Sequence, residues 1–405
     1  MILAKMAFRN IFRQRRRSLL TGLMMMGGFV LCSIFFGFSE GSYGNIINLF
    51  TRNNTGHVQI HSTGYLDRPS LYKTIDSFEA IERKITGIRH VKSVTPRVSS
   101  PALAFVEAKT TGAEVIGIDI VKEPKTTSIL DKVGKGRFFS DKFSNEIIIG
   151  SGLADILKAG IRDEVALIAQ GADGSIANDN FIVIGIISEK TSSSDKMKCY
   201  MDIKTAQNFL VLDERIHEIV ILLDDQRFSR ETASLITEAL NNEKLDVEPW
   251  QVVEKAFFRV MQVDNIGNYI TQGIIILIVA IGVLNTVLMS ILERTREFGV
   301  IRAIGTRPGK VFFLILLETA FLSLISIFAG IILASGINHY LAVHGIKMPS
   351  PVDIGGIKFD TMLSIVSWRT IWIPGITTLS AAILVSVFPG IRAARIKPVN
   401  AMRYA

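Results

Sequence analysis

Four long apolar blocks dominate the hydrophobic pattern of this 405-residue chain. They lie at about residues 18–38, 270–292, 311–337 and 371–389. Each block is close to the ~20 residues that a helix needs to cross ~30 Å of hydrocarbon. The pattern therefore predicts an α-helical membrane protein with four transmembrane helices.

The long stretch between the first two blocks mixes strand-like and helix-like patterns. Alternating or continuous apolar runs typical of strands occur at 56–61, 114–119, 146–149 and 181–187. Apolar residues recur at helical spacing in 76–87, 202–212 and 228–241. This mixture predicts a large α+β domain over residues 40–269, inserted between transmembrane helices 1 and 2.

We expect this domain to have two lobes. Residues 40–125 and 213–265 would form the first lobe, and residues 126–212 would form a second, β-rich lobe. The glycine- and lysine-rich segment 134–136 has the composition of a turn, and it would lead the chain into the second lobe.

The basic residues lie beside the apolar blocks. They cluster in 1–18, in 293–310 and after residue 389, and the whole chain carries a formal charge of +8. Lys and Arg beside membrane helices stay on the cytoplasmic side. Four spans place all three basic segments on one side, so we expect both termini in the cytoplasm and residues 40–269 outside it. This location argues for a lipid membrane and against a nucleic-acid partner.

The predicted organisation has three parts. Residues 1–39 hold a basic cytoplasmic N-terminus and transmembrane helix 1, and residues 40–269 form the extracytoplasmic domain. Residues 270–405 hold transmembrane helices 2–4, a cytoplasmic segment at 293–305 and a basic C-terminal tail.

The external domain offers no convincing catalytic or metal-binding group. His57 and His61 are four residues apart on a predicted strand and share a face, but no third ligand stands at a suitable spacing. We interpret them as part of a solvated strand face. Ser151 lacks the glycine two residues before it that a nucleophile elbow requires, because Ile149 stands there.

The sequence predicts that the chain is not an ATPase. The segment 305–311 comes nearest to a phosphate-binding loop, but it lacks both the spacing and the final hydroxyl residue of that motif. No predicted cytoplasmic piece is long enough for a nucleotide-binding domain. We therefore expect any ATP and magnesium to be bound by a separate ATPase subunit.

The segment after the second apolar block has the pattern of a short amphipathic helix. No helix breaker separates it from the second span, and Phe298, Ile301 and Ile304 recur at helical spacing while Arg294 and Arg302 point elsewhere. Thr306 is the expected N-cap of the next helix, which begins near Pro308. The alternative without a protein partner is an elbow that lies on lipid headgroups. The mixed charges, with carboxylates among the basic residues, favour docking of a protein partner.

Residues 285–318 resemble the signature segment of the FtsX-like permease family, the membrane subunits of the MacB and LolC/LolE type of ABC transporter. The start at 7–11, the loop at 345–349 and the tail at 389–403 are also similar to that family. Residues 150–154 and 163–165 look like a family element of the external domain, in which Arg162 stands where glycine is usual.

The resemblance implies a coupling helix that docks in a groove of a cytoplasmic ABC ATPase dimer. The residues that it assigns to this helix are Glu293, Arg294, Arg296, Glu297, Phe298, Ile301, Arg302, Ile304 and Gly305. It also implies that the chain pairs with a second permease, identical or related, in the bacterial inner membrane. A periplasmic lipoprotein chaperone is a further expected partner.

The function implied is mechanotransmission, in which ATP-driven movement inside the cell displaces the external domain. The substrate would be a lipidated or amphiphilic molecule, such as a lipoprotein, taken from the outer leaflet of the inner membrane. Two alternatives stay open: a MacB-like exporter of peptides or toxins, and an FtsX-like signalling subunit that regulates cell-wall hydrolases.

Five residues inside the predicted spans are further candidates. Glu318 lies about eight residues into the third span, where a carboxylate is a functional candidate. It would reach back to a basic residue near the interface or face a dimer groove, or it would relay protons. Close helix packing is the expected role of four small residues at four-residue spacing, namely Gly330, Ala334, Ala382 and Ser386. We expect them on a dimer face.

Overall fold

A computed structural model describes residues 2–13, 15–140, 145–188, 193–354 and 357–396 of the chain. The predicted basic tail from residue 397 lies outside the described residues. Contacts divide the chain into two compact units. The helical unit consists of Met1–Gly44, Gln262–Met348 and Thr361–Ala405. The sheet unit consists of Asn45–Met261 and Pro349–Asp360.

The described helices follow one another in chain order as α1 (Ile2–Arg13), α2 (Arg15–Phe50), α3 (Phe78–Ile85), α4 (Glu123–Thr126), α5 (Ile129–Lys132), α6 (Ser151–Leu157), α7 (Ile203–Phe209), α8 (Ser229–Leu240), α9 (Trp250–Val253), α10 (Lys255–Glu293), α11 (Thr295–Ala303), α12 (Pro308–His344) and α13 (Trp368–Ala394). The described strands are β1 (Val58–Ser62), β2 (Val91–Val106), β3 (Lys109–Ile118), β4 (Val133–Gly136), β5 (Glu146–Ile149), β6 (Glu164–Gln170), β7 (Ile176–Ile187), β8 (Lys198–Asp202), β9 (Glu218–Leu223), β10 (Leu245–Pro249), β11 (Ile346–Ile354) and β12 (Ile357–Met362).

Four of these helices are long and apolar enough to cross a membrane. They are Arg15–Thr55, which joins α2 to a π-helical turn at Thr51–Thr55, and α10, α12 and α13. Their mean hydropathies over the most apolar window run from 1.9 to 2.7. The four predicted spans are confirmed as four such helices, and each helix is longer than its apolar block.

The sheet unit contains one mixed ten-stranded sheet. Its strand order is β10-β1-β9-β2-β3-β8-β5-β7-β4, and β6 pairs with both β2 and β7. The 16-residue strand β2 explains this branch. Its first half pairs with β9, its second half pairs with β6, and β3 runs antiparallel along its other edge.

Every strand and helix segment expected in this region from the sequence is present, but one turn is not. Residues 134–136 lie in β4, which pairs antiparallel with β7, so the expected turn is a strand. Strands from both expected lobes also share the one sheet, because β6 pairs with β2 and β8 pairs with β3. The division into lobes therefore stays a prediction. Arg162 adopts φ +75°, the left-handed region that favours glycine.

The four small residues in the helical unit pack inside it. Ala334 is buried beside Phe29 of α2, and a Cβ on Gly330 would lie 2.7 Å from the same ring. Ala382 and Ser386 are also buried, and α13 packs along α12. The chain's own helices occupy the space that these small side chains leave, so the close helix packing lies within the chain, and a dimer face at these positions stays a prediction.

Candidate functional site

The elbow helix α11 is separated from α10 by one residue. Arg294 has φ −99° and ψ 13°, which ends α10 at Glu293 and allows α11 to begin at Thr295. The expected continuous helix is thus broken at this point. The expected N-cap at Thr306 is also wrong, because Arg307 takes the extended cap conformation directly before Pro308 of α12.

Phe298 fixes α11 to the helical unit. Its side chain is 1% exposed and belongs to a buried cluster drawn from α2, α10, α11, α12 and α13. That cluster contains Met25, Val283, Val287, Ile291, Phe298, Val311, Ile315, Ala382 and Ala393. Burying a phenylalanine side chain contributes ~1.5–3 kcal/mol. The elbow helix is therefore part of the packed core of this unit.

Arg294 faces inward, which corrects the expected orientation. Its side chain is 8% exposed and donates from Nη1 to Glu318 Oε2 at 2.9 Å and from Nε to Glu297 Oε2 at 3.0 Å. Its guanidinium also lies 5.1 Å from the ring centroid of Phe298. Because Arg294 stands four residues before Phe298, the two side chains share a face, and the core captures both.

Glu318 connects three helices. It accepts from Arg294 at the start of the elbow and from Asn10 Nδ2 on α1. A second pair links neighbouring helices, since Arg17 Nη1 of α2 lies 2.9 Å from Glu293 Oε2 at the end of α10. The carboxylate thus reaches a basic residue, as one of the sequence alternatives proposed. Neither Asn10 nor Arg17 could be assigned to this network from the sequence, because their partners lie 308 and 276 residues away in the chain.

The outward face of α11 consists of other residues than expected. Val300 is 44% exposed and Ile304 just after the helix is 81% exposed, with Arg296 and Ala303 exposed on the same side. Ile301 packs against the buried cluster instead. Six residues after Phe298, the 3.6-residue period has turned Ile304 away from the core. The exposed ridge of the elbow is therefore Val300 and Ile304 rather than Phe298 and Ile301.

Two other predicted coupling residues hold the end of the elbow. Arg302 Nη1 donates to the Thr306 carbonyl at 3.1 Å. Gly305 adopts φ +94°, a conformation that favours glycine, and this reverses the chain between α11 and α12. Both residues therefore shape the elbow's exit.

The sheet unit contains a buried charged network that the sequence analysis missed. Arg97 of β2 contacts Glu123 of α4, with Nη2 2.5 Å from Oε1, and Glu218 of β9, with Nη1 3.3 Å from Oε1. Although burial alone would raise the pKa of Glu218, its His61 and Arg97 neighbours lower that pKa to about 2. Nearby, Lys132 Nζ lies 2.7 Å from Asp195 Oδ2. Burial lowers the pKa of Lys132 to about 8.

His57 and His61 are buried, so their interpretation as a solvated face is wrong. They are 2% and 1% exposed, because β1 lies between β9 and β10 and is also contacted by α8 and α9. Leu223 N–H donates to His57 Nδ1 at 3.0 Å, and burial lowers the pKa of His57 to about 4. Among the described residues, no group of three or more His, Cys, Asp or Glu side chains is placed to hold a metal ion.

Two family models match most of the chain. The MacB-like periplasmic core domain matches residues 18–239, and the FtsX-like permease C-terminal model matches residues 269–398. The chain therefore belongs to the MacB-like periplasmic core and FtsX-like permease family, as an ABC transporter permease subunit of the MacB, LolC and FtsX group. Membership of this family confirms the resemblance noted in the sequence.

Curated relatives include both permeases and fused transporters. The lipoprotein-releasing system transmembrane protein LolC of Neisseria meningitidis is 23% identical over 93% of this chain and 90% of its own length. LolE of Haemophilus influenzae is 23% identical over 85% of this chain and 84% of its own. The macrolide export ATP-binding/permease protein MacB of Campylobacter jejuni is 22% identical over 98% of this chain, which spans 60% of that protein.

Among solved structures, the periplasmic region of MacB from Actinobacillus actinomycetemcomitans matches 52% of this chain and 97% of its own chain. Its TM-score is 0.37 and its sequence identity is 18%.

Proposed function

We propose that this permease works by mechanotransmission, with the elbow segment 293–305 as the helix that couples it to a cytoplasmic ABC ATPase. The observation that carries this proposal is the double attachment of the elbow. Phe298 is packed in the helical core, and Arg294 is ion-paired to Glu318 of α12. A force applied to the exposed ridge of Val300 and Ile304 would therefore move the long helices rather than bend a loose loop.

The long helices themselves support the second step of this mechanism. The chain enters the sheet unit through α2 and leaves it through α10, and each of these helices is continuous across the residues where the two units divide. A continuous helix transmits displacement along its axis. We infer that the sheet unit lies outside the cytoplasm, between transmembrane helices 1 and 2, and that both termini lie inside.

Lipoproteins or other lipidated, amphiphilic molecules are the proposed substrate. This assignment rests on the near full-length similarity to LolC, whose name describes a lipoprotein-releasing system. It also fits a mechanism in which the substrate stays outside the spans and is lifted from the outer leaflet of the inner membrane. Export of a peptide or toxin is the alternative, and the MacB-like periplasmic core match favours it.

The proposed assembly has two permeases and an ATPase dimer. The second permease would be another copy or a related chain, and ATP with magnesium would be bound by the ATPase. A periplasmic chaperone would accept a released lipoprotein. An FtsX-like signalling role has less support, since a smaller external domain than this sheet unit of more than 200 residues is expected for it.

A proteoliposome release assay tests the substrate assignment. The permease and its co-purified ATPase are reconstituted with a fluorescent triacylated lipoprotein. ATP and magnesium are enclosed in the vesicles and the chaperone is added outside, so that complexes with the sheet unit facing outward meet both. We expect ATP-dependent transfer of fluorescence to the soluble fraction. The control is the Ile304→Asp permease, which should retain the lipoprotein in the bilayer.

Two results would contradict this proposal. Retention of the lipoprotein by the wild-type complex, together with export of a labelled peptide, would favour the MacB-like alternative. Equal release by wild type and Ile304→Asp would remove the elbow from the mechanism.

A further inference from the structure

A polar cavity of about 370 Å³ lies within the sheet unit and has no role in the proposed coupling. This volume is in the range of small-molecule sites, which are ~300–1,000 Å³. Its wall contains side chains from the buried charged network, including Arg97, Lys132 and Glu218. The cavity is therefore large enough for a small ligand and lined by groups that interact strongly with charge.

The cavity wall includes residues beside α2 and α10, the two long helices at the ends of the main segment of the sheet unit, Asn45–Met261. Residues 53–55 belong to the π-helical turn Thr51–Thr55, which follows α2, while Val253 ends α9 and Glu254 stands between α9 and α10. π-Helical turns are rare and recur at functional sites. Glu254 has φ −108° and ψ 57°, which interrupts helical geometry before α10 begins. A ligand in this cavity would touch the segments that lead to the two long helices.

The basic groups of the wall already have acidic partners. Arg97 is held by Glu123 and Glu218 and also donates to the Asn54 carbonyl at 2.7 Å. Lys132 Nζ lies 2.7 Å and Lys198 Nζ 3.4 Å from opposite oxygens of Asp195. These pairs leave the wall with little free positive charge, so it is poorly suited to an anion.

Glu254, which also lines the cavity, lacks within the described part of the chain the direct partner that Arg97, Lys132 and Lys198 have. Its carboxylate has no hydrogen-bond or ion-pair partner among the residues that the structure describes, although the residue is only partly exposed. Burial raises the pKa of Glu254, and the charge of Lys198 opposes this effect. The charge of Lys198 thus acts on this partly buried carboxylate without contacting it, and a cationic ligand would supply the direct partner that the carboxylate lacks.

Two neighbouring side chains in the wall support a cationic ligand. Glu114 is exposed, and its carboxylate accepts only the Ser99 hydroxyl, at 3.1 Å, among the described residues. His61 is 1% exposed, and neither ring nitrogen has a hydrogen-bond partner in the described structure, although Nε2 lies 3.6 Å from Glu218 Oε2. The wall therefore combines two available carboxylates with a buried imidazole that has unused hydrogen-bonding capacity.

We propose that this cavity binds a small organic cation through a primary ammonium group, with Glu254 as its main partner and Glu114 as a second carboxylate. The ammonium group has three donors, which match carboxylate oxygens and an imidazole nitrogen. The site is separate from the proposed elbow coupling, and binding there requires neither ATP nor the ATPase.

Calorimetric titration of the purified full-length chain in detergent tests the proposal. Putrescine serves as the cationic probe, 1,4-butanediol as its neutral counterpart and succinate as its anionic counterpart. We expect saturable binding of putrescine alone, weakened by added salt. Absence of putrescine binding, or binding of succinate instead, would overturn the assignment.

Two variants and a control locate the site. Glu254→Gln preserves shape and removes the charge, and it should weaken putrescine binding by about tenfold or more. Glu238→Gln, on the exposed surface of α8, is the matched control and should bind as wild type does. Glu114→Gln is at an exposed position where folding is not at risk, and it should weaken binding severalfold. Wild-type binding by both Glu254→Gln and Glu114→Gln would overturn the proposal.

Hydrogen exchange identifies the location independently of the variants. Putrescine should slow exchange at residues 51–55 and 253–254 and leave residues 154–161, which line a different cavity, unchanged. Protection confined to the second cavity would overturn the proposal even if binding were saturable.

Discussion

Arg294 and Glu318 form an ion pair at 2.9 Å that joins the start of the elbow helix to the third long helix. Both side chains are largely shielded from solvent, at 8% and 17% exposure. A pair in such surroundings costs desolvation, so its net contribution to stability is small, but removal of one partner leaves an unpaired charge. The Arg294–Glu318 ion pair therefore acts chiefly to hold the elbow helix in position.

Replacement of Arg294 by Gln should both destabilise the permease and uncouple it. We expect a loss of about 3 kcal/mol in unfolding free energy, because Glu318 keeps its charge without its partner. Substrate-stimulated ATP hydrolysis by the reconstituted complex should fall by about tenfold or more. Chemical unfolding in detergent and a phosphate-release assay measure the two effects.

The matched controls separate charge pairing from general disruption. Arg296→Gln alters an exposed neighbour and should leave unfolding unchanged. The double variant Arg294→Gln/Glu318→Gln should recover most of the stability, because the carboxylate that remains without Arg294, Glu297, is 41% exposed to water, but it should not recover coupling. Full coupling in Arg294→Gln would refute the positional role of the pair.

A substitution on the exposed ridge of the elbow should affect docking of the ATPase without affecting the stability of the permease. Ile304 is 81% exposed, so Ile304→Asp should leave the unfolding of the isolated permease unchanged. Association with the ATPase should weaken about tenfold, because a charge would replace apolar contact in the interface. Ile304→Leu is the control and should retain binding. Co-purification from membranes, quantified by the ratio of ATPase to permease, measures the difference.

Substitutions at Gly330 and Gly336 test whether the small residues of α12 pack within the chain or form a dimer face. A Cβ on Gly330 would meet the Phe29 ring at 2.7 Å, whereas nothing lies within 4 Å of a Cβ on Gly336 of the same helix. Gly330→Val should therefore cost about 1–3 kcal/mol through overpacking, and Gly336→Val should not. Unfolding in detergent compares the two variants.

Measuring Gly330→Val in a protein that already carries Phe29→Ala tests whether the Phe29 ring causes the cost. The cost of Gly330→Val should shrink there, because the ring that it strikes is gone. If Gly330→Val instead leaves unfolding unchanged and disrupts association between two permeases, the face belongs to a dimer after all.

Hydrophobic periodicity was sufficient to predict the four apolar helices and four strands, β1, β3, β5 and β7, of the ten-stranded sheet. It failed where a single residue changed the geometry. Arg294 interrupts α10, and its position four residues before Phe298 carries a guanidinium into the core. Polar residues are rarely buried unless they are paired, and the partner, Glu318, is 24 residues away on another helix.

The interpretation of His57 and His61 as a solvated strand face was wrong for a different reason. Their strand does alternate, but β9 and β10 flank it and helices cover it, so polar positions are buried as well as apolar ones. Alternation predicts an exposed face only for a sheet with one face in water. The number and placement of neighbouring strands is a property of the whole sheet, and no local window of sequence contains it.

The buried His57 predicts a pH dependence for the stability of the sheet unit. Burial lowers its pKa to about 4, whereas an unfolded histidine titrates near pH 6.5. Between these values the unfolded state binds the proton and the folded state does not, so stability must fall as the pH falls from about 6.5 to about 4. The full difference corresponds to ~3 kcal/mol.

Exchange of the Leu223 amide measures this effect, because that N–H donates to His57 Nδ1. After correction for the intrinsic exchange rate, its opening free energy in the full chain should decline from pH 7 to pH 4.5. His57→Gln should make the decline shallower but not abolish it, since burial also lowers the pKa of His217. His344→Gln, at an exposed position, should leave the decline as in wild type. An identical slope in His57→Gln and wild type would show that His57 takes up its proton in the folded protein as readily as in the unfolded chain.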